Sequence, residues 1–229
     1  MKIVLFDLDG TIANTLPMCI SAFREAAEPY LGRELTMEEM EQAFGLDEEG
    51  MMKQIVGTHW QEALQDFYAN YAKMHTLCPT PYEGIRQLIH QLKEEGIIIA
   101  LVTGKGRKTT EISLDYWDMK QDFDFIETGS PYKNRKAEAI GNILHNSHIA
   151  HQDAVYIGDT VSDVLSCREA NIVCLSATWS KGTKLKELEN INPNHVIRSI
   201  ADLKRTLLNR KWKSVISKNA CNIILILQI

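Results

Sequence analysis

Ile3-Val4-Leu5-Phe6-Asp7-Leu8-Asp9-Gly10-Thr11 opens the chain with an apolar run that passes directly into two acids and a glycine. A short apolar run before a turn signal is typical of a strand that is buried on both faces. Alternate residues of an extended chain point the same way, so Asp7 and Asp9 share one side while Leu8 points elsewhere. Gly10 permits a tight turn behind them. This stretch therefore predicts a buried strand with two carboxylates at its carboxyl end.

The same alternation of apolar runs and amphipathic segments continues along most of the chain. Strands are predicted at Ile3 to Phe6, Ile97 to Val102, Phe123 to Glu127, Ala154 to Ile157, Ile172 to Leu175 and His195 to Ile197. Helices are predicted at Glu83 to Glu95, Arg107 to Trp117, Lys136 to His145, Ser162 to Ala170, Thr183 to Glu189 and Ile200 to Leu208. Apolar strands separated by helices favour an α/β fold with a doubly wound parallel sheet. The chemistry of such a sheet lies at the carboxyl ends of its strands.

Residues 16–82 break this alternation. Their apolar residues recur at helical spacing in two stripes, Phe23, Ala26, Ala27, Tyr30 and Leu31, and Leu64, Phe67, Tyr68, Tyr71 and Met74. We predict about four helices here, inserted into the core as a small helical cap domain. The α/β core would then comprise residues 1–15 and 83–208, and residues 209–229 would form a C-terminal tail.

Composition narrows the class of protein. The chain has 229 residues, a hydrophobic fraction of 45% and a net charge of −5, which fit a globular domain and argue against general nucleic-acid binding. No secretory signal opens the sequence, and the apolar run at 223–227 is far shorter than the ~20 residues that span a bilayer. Five scattered cysteines indicate reduced thiols. We expect a cytoplasmic protein without a nucleic-acid or membrane partner, although the basic segment 198–218 keeps membrane contact open as an alternative.

Two further predicted strands end in polar residues. Thr103 and Gly104 follow one of them, and a hydroxyl group beside exposed backbone amides suits an anionic oxygen. Asp159 ends another strand, and Asp163 follows near the start of the next helix. Each feature has an ordinary structural explanation as well, because Thr-Gly commonly forms a turn and acids favour helix starts.

The carboxyl ends of parallel strands meet at one edge of the sheet, so Asp7, Asp9, Asp159 and Asp163 are expected to cluster. Unpaired carboxylates this close would repel one another strongly. A hard divalent cation with oxygen ligands relieves that repulsion, and Mg²⁺ is the cation that such a set favours. Because Mg²⁺ usually accompanies phosphate groups, the cluster indicates a small phosphorylated substrate.

These motifs resemble the haloacid dehalogenase-like superfamily of aspartate-nucleophile phosphatases, specifically its phosphoglycolate phosphatase-like branch with a helical cap. The resemblance rests on Asp7-Leu8-Asp9-Gly10-Thr11 and on Gly158-Asp159-Thr160-Val161-Ser162-Asp163, and it covers about residues 1–208. It implies Mg²⁺-dependent hydrolysis of a small phosphorylated metabolite through an aspartyl-phosphate. Phosphoglycolate, pyrophosphate, nucleotide monophosphates and sugar phosphates all stay open as substrates.

The resemblance also implies catalytic and metal-binding roles. Asp7 would be the nucleophile, and Asp9 would protonate the leaving oxygen and then activate water. Asp7, the Asp9 backbone carbonyl and Asp159 would hold Mg²⁺, with Asp163 supporting it directly or through water. Asn14 departs from the pattern, because many relatives carry an aspartate there. We expect that departure to affect the cap hinge rather than the chemistry.

Phosphate binding is assigned to Gly10, Thr103 and Gly104 by the same resemblance. The family also requires a lysine between its second and last motifs, and the candidates are Lys133 and Lys136. Lys136 is preferred because it opens a predicted helix. The lysine-proline pattern that is frequent in relatives is missing here.

Other readings of the sequence lead to different functions. A phosphomutase of the same fold would require a sugar bisphosphate, and a non-catalytic phosphate-sensing or scaffold module would show no turnover. A dehalogenase is disfavoured because Asp9 and the acidic cluster would have no role in displacing halide. A metal site at His145, His148 and His151 is also disfavoured, since their spacing does not keep all three on one helical face.

Overall fold

A six-stranded parallel sheet forms the centre of the described part of the chain. The computed structural model describes residues 1–208. Its strands are β1 (Ile3–Phe6), β2 (Ile98–Val102), β3 (Phe125–Glu127), β4 (Ala154–Gly158), β5 (Val173–Ala177) and β6 (Val196–Ile197). The strand order is β3-β2-β1-β4-β5-β6, with every pairing parallel. The chain therefore winds outward in both directions from β1 and β4, and the predicted doubly wound α/β fold is confirmed.

Helices fill the connections between the strands. The described residues form α1 (Leu16–Leu31), α2 (Met37–Ala43), α3 (Glu48–Val56), α4 (Trp60–Met74), α5 (Ile85–Glu94), α6 (Arg107–Tyr116), α7 (Lys136–Ser147), α8 (Val161–Glu169), α9 (Leu185–Ile191) and α10 (Ile200–Leu208). Short 3₁₀ turns lie at Gly57–His59, His75–Leu77, Lys120–Asp122 and His151–Asp153. None of the helices within residues 1–208 combines the length and the apolar character that crossing a membrane requires.

Strand β1 separates two hydrophobic cores. Val4 and Phe6 pack into the core that the cap also enters, whereas Ile3 and Leu5 pack into the core beneath α7 and α8. Alternate residues of a strand face opposite sides of the sheet, and here a hydrophobic core covers each side. All four side chains are therefore fully buried. Burying one such side chain stabilises the fold by about 1.5–3 kcal/mol. This explains why β1 is a continuous apolar run rather than an alternating one.

The segment 16–82, all of which is described, contains helices and no strand of the sheet. Helices α1 and α4 pack against each other through Phe23 and Phe67, whose rings meet edge to face with centroids 5.6 Å apart. Both predicted stripes lie in this packing, because every residue of the two stripes is either buried or half-buried and packed against the same core. The predicted helical cap is therefore present, while its division from the core at residues 15/16 and 82/83 stays a prediction.

Several predicted boundaries shift by a few residues. Strand β3 begins at Phe125 rather than at Phe123, because the 3₁₀ turn at Lys120–Asp122 precedes it and the Asp124 carboxylate accepts a hydrogen bond from the Ile99 amide at 2.8 Å. Strand β5 extends to Ala177 because its last residues pair with β6. The predicted C-terminal tail, residues 209–229, lies outside the described residues.

Candidate active site

Asp7 lies at the carboxyl end of β1, where its backbone amide donates to the carbonyl of Ile157 at 2.9 Å. The chain then turns tightly, and the Gly10 amide donates to the Ala13 carbonyl at 2.8 Å. Gly10 has a φ of +76°, and a Cβ atom there would lie 2.0 Å from Oδ2 of Asp159. Glycine is therefore required on both backbone and steric grounds. Its absent side chain lets the turn after β1 approach the acid after β4.

Three acidic side chains converge at this edge of the sheet. Asp7, Asp159 and Asp163 each offer a carboxylate oxygen, and these oxygens lie within 4.8 Å of one another. The Asp159 Oδ1 atom is buried and has no hydrogen-bond partner among residues 1–208. An unpartnered buried carboxylate oxygen beside two further carboxylates is the environment that a hard divalent cation fits. The residues present therefore suit the predicted Mg²⁺ site.

The acidic cluster is short of positive charge. Burial raises the pKa of Asp7 to about 7, and the Asp163 and Asp9 charges add to this although Lys136 opposes it. Burial, together with the Asp7 and Asp163 charges, raises the pKa of Asp159 to about 8. A further cation beside these two groups would lower the pKa of both and favour their ionised forms near neutral pH.

Lys136 is the first residue of α7 and provides positive charge on one side of the cluster. Its Nζ atom lies 3.1 Å from Asp7 Oδ1 and 2.5 Å from Asp163 Oδ1. Burial lowers the pKa of Lys136, but Asp163 and Asp7 outweigh that effect and raise it, so the group stays charged. Lys133, by contrast, has a 66% exposed side chain that pairs with Glu138 at 2.7 Å. The structure thus places Lys136, and not Lys133, beside Asp7.

Asp163 has a structural role as well. Its Oδ2 atom accepts hydrogen bonds from the Thr160 amide at 3.0 Å and the Thr160 hydroxyl at 2.6 Å, which forms a capping box at the start of α8. Its Oδ1 atom accepts from the Tyr156 hydroxyl at 3.1 Å in addition to Lys136. Burial alone would raise the pKa of Asp163, but Lys136 and Thr160 lower it. Asp163 therefore holds Lys136 in place, and its contact with a metal stays a prediction.

Thr103 and Gly104 directly follow β2, and β2 is the strand beside β1 in the sheet. Thr103 is buried, and its hydroxyl accepts a hydrogen bond from the Lys105 amide at 3.2 Å. A Cβ atom on Gly104 would lie 3.8 Å from Cε of Lys136. This loop therefore adjoins the lysine that contacts Asp7, as a phosphate-binding role requires, and the role itself stays a prediction.

The Asp9 carboxylate does not belong to the group whose oxygens lie within 4.8 Å of one another, so the expected cluster of four carboxylates contains three. The Thr15 hydroxyl donates to Asp9 Oδ1, and Lys105 Nζ lies 3.5 Å from Asp9 Oδ2. The Asp9 side chain is 27% exposed, compared with 6% for Asp7. Its carboxylate is thus separate from the predicted metal ligands, and the backbone carbonyl is the part of Asp9 assigned to the metal.

The sequence reasoning missed Lys105 and Glu48. Burial lowers the pKa of Lys105, but Asp9, Cys19, Tyr71 and Glu48 outweigh that effect and raise it well above its usual range. Lys105 could have been found, because it directly follows Thr103-Gly104 at a strand end. Glu48 carries no such signal, since it is one of several acids in the segment 16–82 that is predicted to be helical.

The histidines at positions 145, 148 and 151 do not form a metal site within the described residues, where the acidic group Asp7, Asp159 and Asp163 is the one cluster with metal-ligand spacing. Nδ1 of His151 lies 2.7 Å from the Ala170 carbonyl, a contact between elements of the core. Within the described residues, the structure therefore gives no support to the hypothesis of a histidine metal site, which the sequence already disfavoured.

A comparison with family models decides the relationship of this chain to known proteins. The model of the haloacid dehalogenase-like hydrolases matches residues 4–177, which contain both motifs and the cap. The chain belongs to the haloacid dehalogenase-like hydrolase family. This result confirms the family predicted from the sequence and, with it, the predicted enzyme class, a hydrolase of the phosphatase type.

Relatives of this hydrolase match it over most of its length. A pyrophosphatase named PpaX from Bacillus mycoides is 26% identical over 208 residues, covering 89% of this chain and 96% of that protein. A PpaX pyrophosphatase from Halalkalibacterium halodurans is 25% identical over 203 residues, covering 87% and 94%. The solved structure of a haloacid dehalogenase-like family hydrolase from Streptococcus pneumoniae is 25% identical, with a TM-score of 0.70 and coverage of 89% and 96%.

Proposed function

We propose that this hydrolase is a Mg²⁺-dependent phosphatase of small phosphorylated metabolites, and that the phosphoryl group is carried on Asp7 during turnover. The observation that carries the proposal is the position of the buried Asp7 carboxylate, which lies 3.1 Å from the Lys136 ammonium and forms one acidic group with the half-buried Asp159 and the buried Asp163. A nucleophilic carboxylate needs this combination of cationic support and burial. A turn residue or a helix-capping acid does not.

The approach of phosphate to Asp7 has an electrostatic cost. Two like unit charges about 4 Å apart repel by roughly 4 kcal/mol at an effective dielectric constant of 20. Bound Mg²⁺ would supply a double positive charge that offsets this repulsion and the charge that develops during transfer. Asp7, Asp159 and the Asp9 backbone carbonyl are the proposed ligands, with Asp163 in support.

The chain's own residues account for both halves of the reaction. An oxygen of Asp7 forms a bond to phosphorus while the bond between phosphorus and the leaving oxygen breaks, and Asp9 transfers a proton to that oxygen. Asp9, now a carboxylate, takes a proton from water as the water oxygen attacks phosphorus and releases Asp7. Lys136, Thr103 and the Gly104 amide hold the phosphoryl oxygens throughout. The Gly10 amide donates to the Ala13 carbonyl, so the phosphate-binding role proposed for Gly10 rests on the close backbone approach that its missing side chain allows.

The cap and the relatives both support small phosphorylated compounds as the substrate class. A cap formed by helices α1–α4 and seated on the loop after β2 would exclude bulk water during transfer, which favours small substrates over macromolecules. Two relatives carry the name pyrophosphatase, so pyrophosphate is the first compound to test. Phosphoglycolate, nucleotide monophosphates and sugar phosphates complete the panel. We place the enzyme in the cytoplasm, acting without a nucleic-acid or membrane partner.

Release of inorganic phosphate tests this proposal. We expect turnover of at least one panel compound with Mg²⁺, none with EDTA, and a loss of at least ~10³-fold in kcat for Asp7→Asn. Asp115→Asn is the matched control, because Asp115 is an exposed acid on α6 and should leave kcat unchanged. Full activity of Asp7→Asn, or full activity in EDTA, would contradict the proposal. A requirement for a sugar bisphosphate would instead indicate a phosphomutase.

A further inference from the structure

A carboxylate of the cap is held by donors of the core. Glu48, the first residue of α3, accepts hydrogen bonds from the Gly106 amide at 2.6 Å and from the Thr109 hydroxyl at 2.5 Å. Lys105 Nζ lies 3.4 Å from the same carboxylate. We call this group, consisting of Glu48, Lys105, Gly106 and Thr109, the Glu48 clasp. It joins the start of a cap helix to the loop that follows β2 and to the first turn of α6.

The Glu48 clasp is buried and closely fitted. The side chains of Glu48 and Lys105 are 5% and 1% exposed, and a Cβ atom on Gly106 would lie 2.3 Å from Oε2 of Glu48. Burying two charges is costly, and apolar residues of similar size often give equal or greater stability. Stability alone therefore gives no reason for an ion pair at this position. A role in the chemistry of the neighbouring site does.

The clasp touches the active site through a single lysine. Lys105 Nζ lies 3.5 Å from Asp9 Oδ2, on the side opposite the hydrogen bond from Thr15. Two cap residues surround the same ammonium, with Cys19 Sγ at 3.6 Å and the Tyr71 ring centroid at 4.7 Å. The ammonium is therefore fixed between Asp9 of the core and Glu48 of the cap.

Neighbouring contacts seat the same end of α3 on the core. The Asp47 amide donates to the Ser130 carbonyl at 3.0 Å. Gly50 packs against Pro131 so closely that a Cβ atom would lie 2.6 Å from the Pro131 carbonyl oxygen. The start of α3 is thus pressed on two core loops at once, and Glu48 can reach Lys105 when this seating is made.

We propose that Lys105 is a positioning residue for Asp9, and that Glu48 makes this positioning depend on the cap being seated on the core. The inference rests on the proposed function, in which Asp9 protonates the leaving oxygen. Lys105 holds one oxygen of Asp9 and Thr15 holds the other, so the carboxyl group is fixed for proton transfer when the cap is closed. When the cap lifts away from the core, the ion pair between Lys105 and Glu48 breaks, and Lys105 is no longer held by the cap.

Leaving groups of different basicity separate this role from a structural one. p-Nitrophenolate is a weak base and departs with little help from a proton donor, whereas phenolate is more basic and needs the proton. The two aryl phosphates are similar in size, so a general disturbance of the site affects both alike. Because kcat/KM reports the steps up to cleavage of the bond to the leaving group, it isolates the half-reaction in which Asp9 acts as the acid.

The experiment compares the full-length enzyme with Lys105→Met and Glu48→Gln, using phenyl phosphate and p-nitrophenyl phosphate with Mg²⁺. We expect both variants to lose at least ~10-fold more kcat/KM for phenyl phosphate than for p-nitrophenyl phosphate. Matched controls are Lys108→Met, an exposed lysine on α6, and Glu49→Gln, the acid next to Glu48 that pairs with Lys53. Both controls should keep the wild-type ratio.

Lys105→Met leaves Glu48 buried without its ammonium partner and could unfold the protein. The double variant Glu48→Gln, Lys105→Met removes both charges, so thermal unfolding should show a recovery of stability while the selective loss on phenyl phosphate persists. Equal losses on both esters in the folded variants, or no loss, would overturn this inference and leave the proposed function standing. Failure of the wild-type enzyme to hydrolyse any ester would overturn the proposed function and this inference with it.

Discussion

Lys136 contacts two carboxylates at once, and this makes it the residue on which the charge balance of the site depends. Its ammonium lies 3.1 Å from Asp7 and 2.5 Å from Asp163, and its side chain is 10% exposed. Asp159, in the same acidic group, has a buried oxygen without a hydrogen-bond partner in the described chain. Lys136 thus supplies a fixed cation to Asp7 and Asp163, while the unpartnered oxygen of Asp159 suits a bound metal.

Replacing Lys136 tests the fixed cation. Lys136→Met leaves Asp163 and Asp7 buried without their ammonium, which we expect to cost about 3 kcal/mol of unfolding free energy. Turnover should fall by at least ~10²-fold, because the transferred phosphoryl group loses a cationic contact. Lys133→Met is the control, since Lys133 is exposed and pairs with Glu138. Chemical unfolding and steady-state kinetics measure both effects, and equal behaviour of the two variants would contradict the assignment.

The raised pKa of Asp159 predicts how stability depends on pH. The pKa rises from 3.8 to about 8 through burial and the Asp7 and Asp163 charges, so the metal-free native state binds this proton more tightly than the unfolded chain does. The contribution is complete below about pH 4 and is lost as the pH rises towards about 8. In EDTA, wild-type stability should therefore fall between about pH 5 and about pH 8, and Asp159→Asn should fall less by about 1–2 kcal/mol. Urea unfolding at the two pH values measures this, and an equal fall in the free energy of unfolding of the two proteins would refute the prediction.

The residues that lie at strand ends could be predicted from the sequence, whereas the partners of Asp9 could not. Asp7 and Asp159 each follow an apolar strand. The carboxyl ends of parallel strands lie at one edge of the sheet, whatever path the connecting chain takes, so such residues come together. Glu48 lies in an acidic run whose default explanation is a solvated helix face. Its burial depends on how α3 packs on the core, and a local sequence pattern does not predict that packing.

At the scale of secondary-structure elements, two helical glycines occupy opposite environments. Gly50 in α3 faces the Pro131 carbonyl, and a Cβ atom there would lie 2.6 Å from that oxygen. Gly141 in α7 has nothing within 4 Å of its Cβ position. The first glycine permits a close contact between cap and core, while the second has no steric reason to be glycine.

This contrast predicts opposite effects of the same substitution. Gly141→Ala should raise the unfolding free energy by about 0.5–1 kcal/mol, because alanine favours a helix over glycine. Gly50→Ala should lower it, and should also lower kcat/KM, because the start of α3 has to move away from Pro131. Thermal unfolding and steady-state kinetics of the two variants check the prediction. A gain in stability at both positions would show that α3 is not closely seated.

Element types were predictable because the strands are continuous apolar runs and the cap helices carry apolar stripes. The boundaries of these elements were harder to predict, since tertiary contacts determine where each element begins and ends. Strand β5 extends to Ala177 because β6 lies beside it, and β3 starts late because a 3₁₀ turn precedes it. Both depend on a neighbour in space rather than on the residues themselves.

At the scale of the whole molecule, the site exists because three distant segments meet at one sheet edge. The turn after β1, the start of α7 and the loop after β4 contribute Asp7, Lys136 and Asp159. Binding of an ion at this junction should therefore stabilise the complete fold, because the unfolded chain does not bring these segments together.

Metal binding should accordingly appear as a gain in stability. At a Mg²⁺ concentration about 100-fold above its dissociation constant, the unfolding free energy of the wild type should rise by about 2.7 kcal/mol. Asp159→Asn should show little of this gain, whereas Asp115→Asn, which changes an exposed acid on α6, should show all of it. Thermal unfolding across a Mg²⁺ titration measures the effect without reference to activity. An equal Mg²⁺ response in all three proteins would place the ion elsewhere.

The most direct test of the account is to look for the phosphoryl group on the enzyme. Acid quenching during steady turnover with Mg²⁺, followed by proteolysis and mass spectrometry, should recover a phosphorylated peptide with the modification on Asp7. The same procedure applied to Asp7→Asn should recover none. Phosphate release by the wild type without any phosphorylated Asp7, or with the phosphoryl group on another residue, would contradict the central claim.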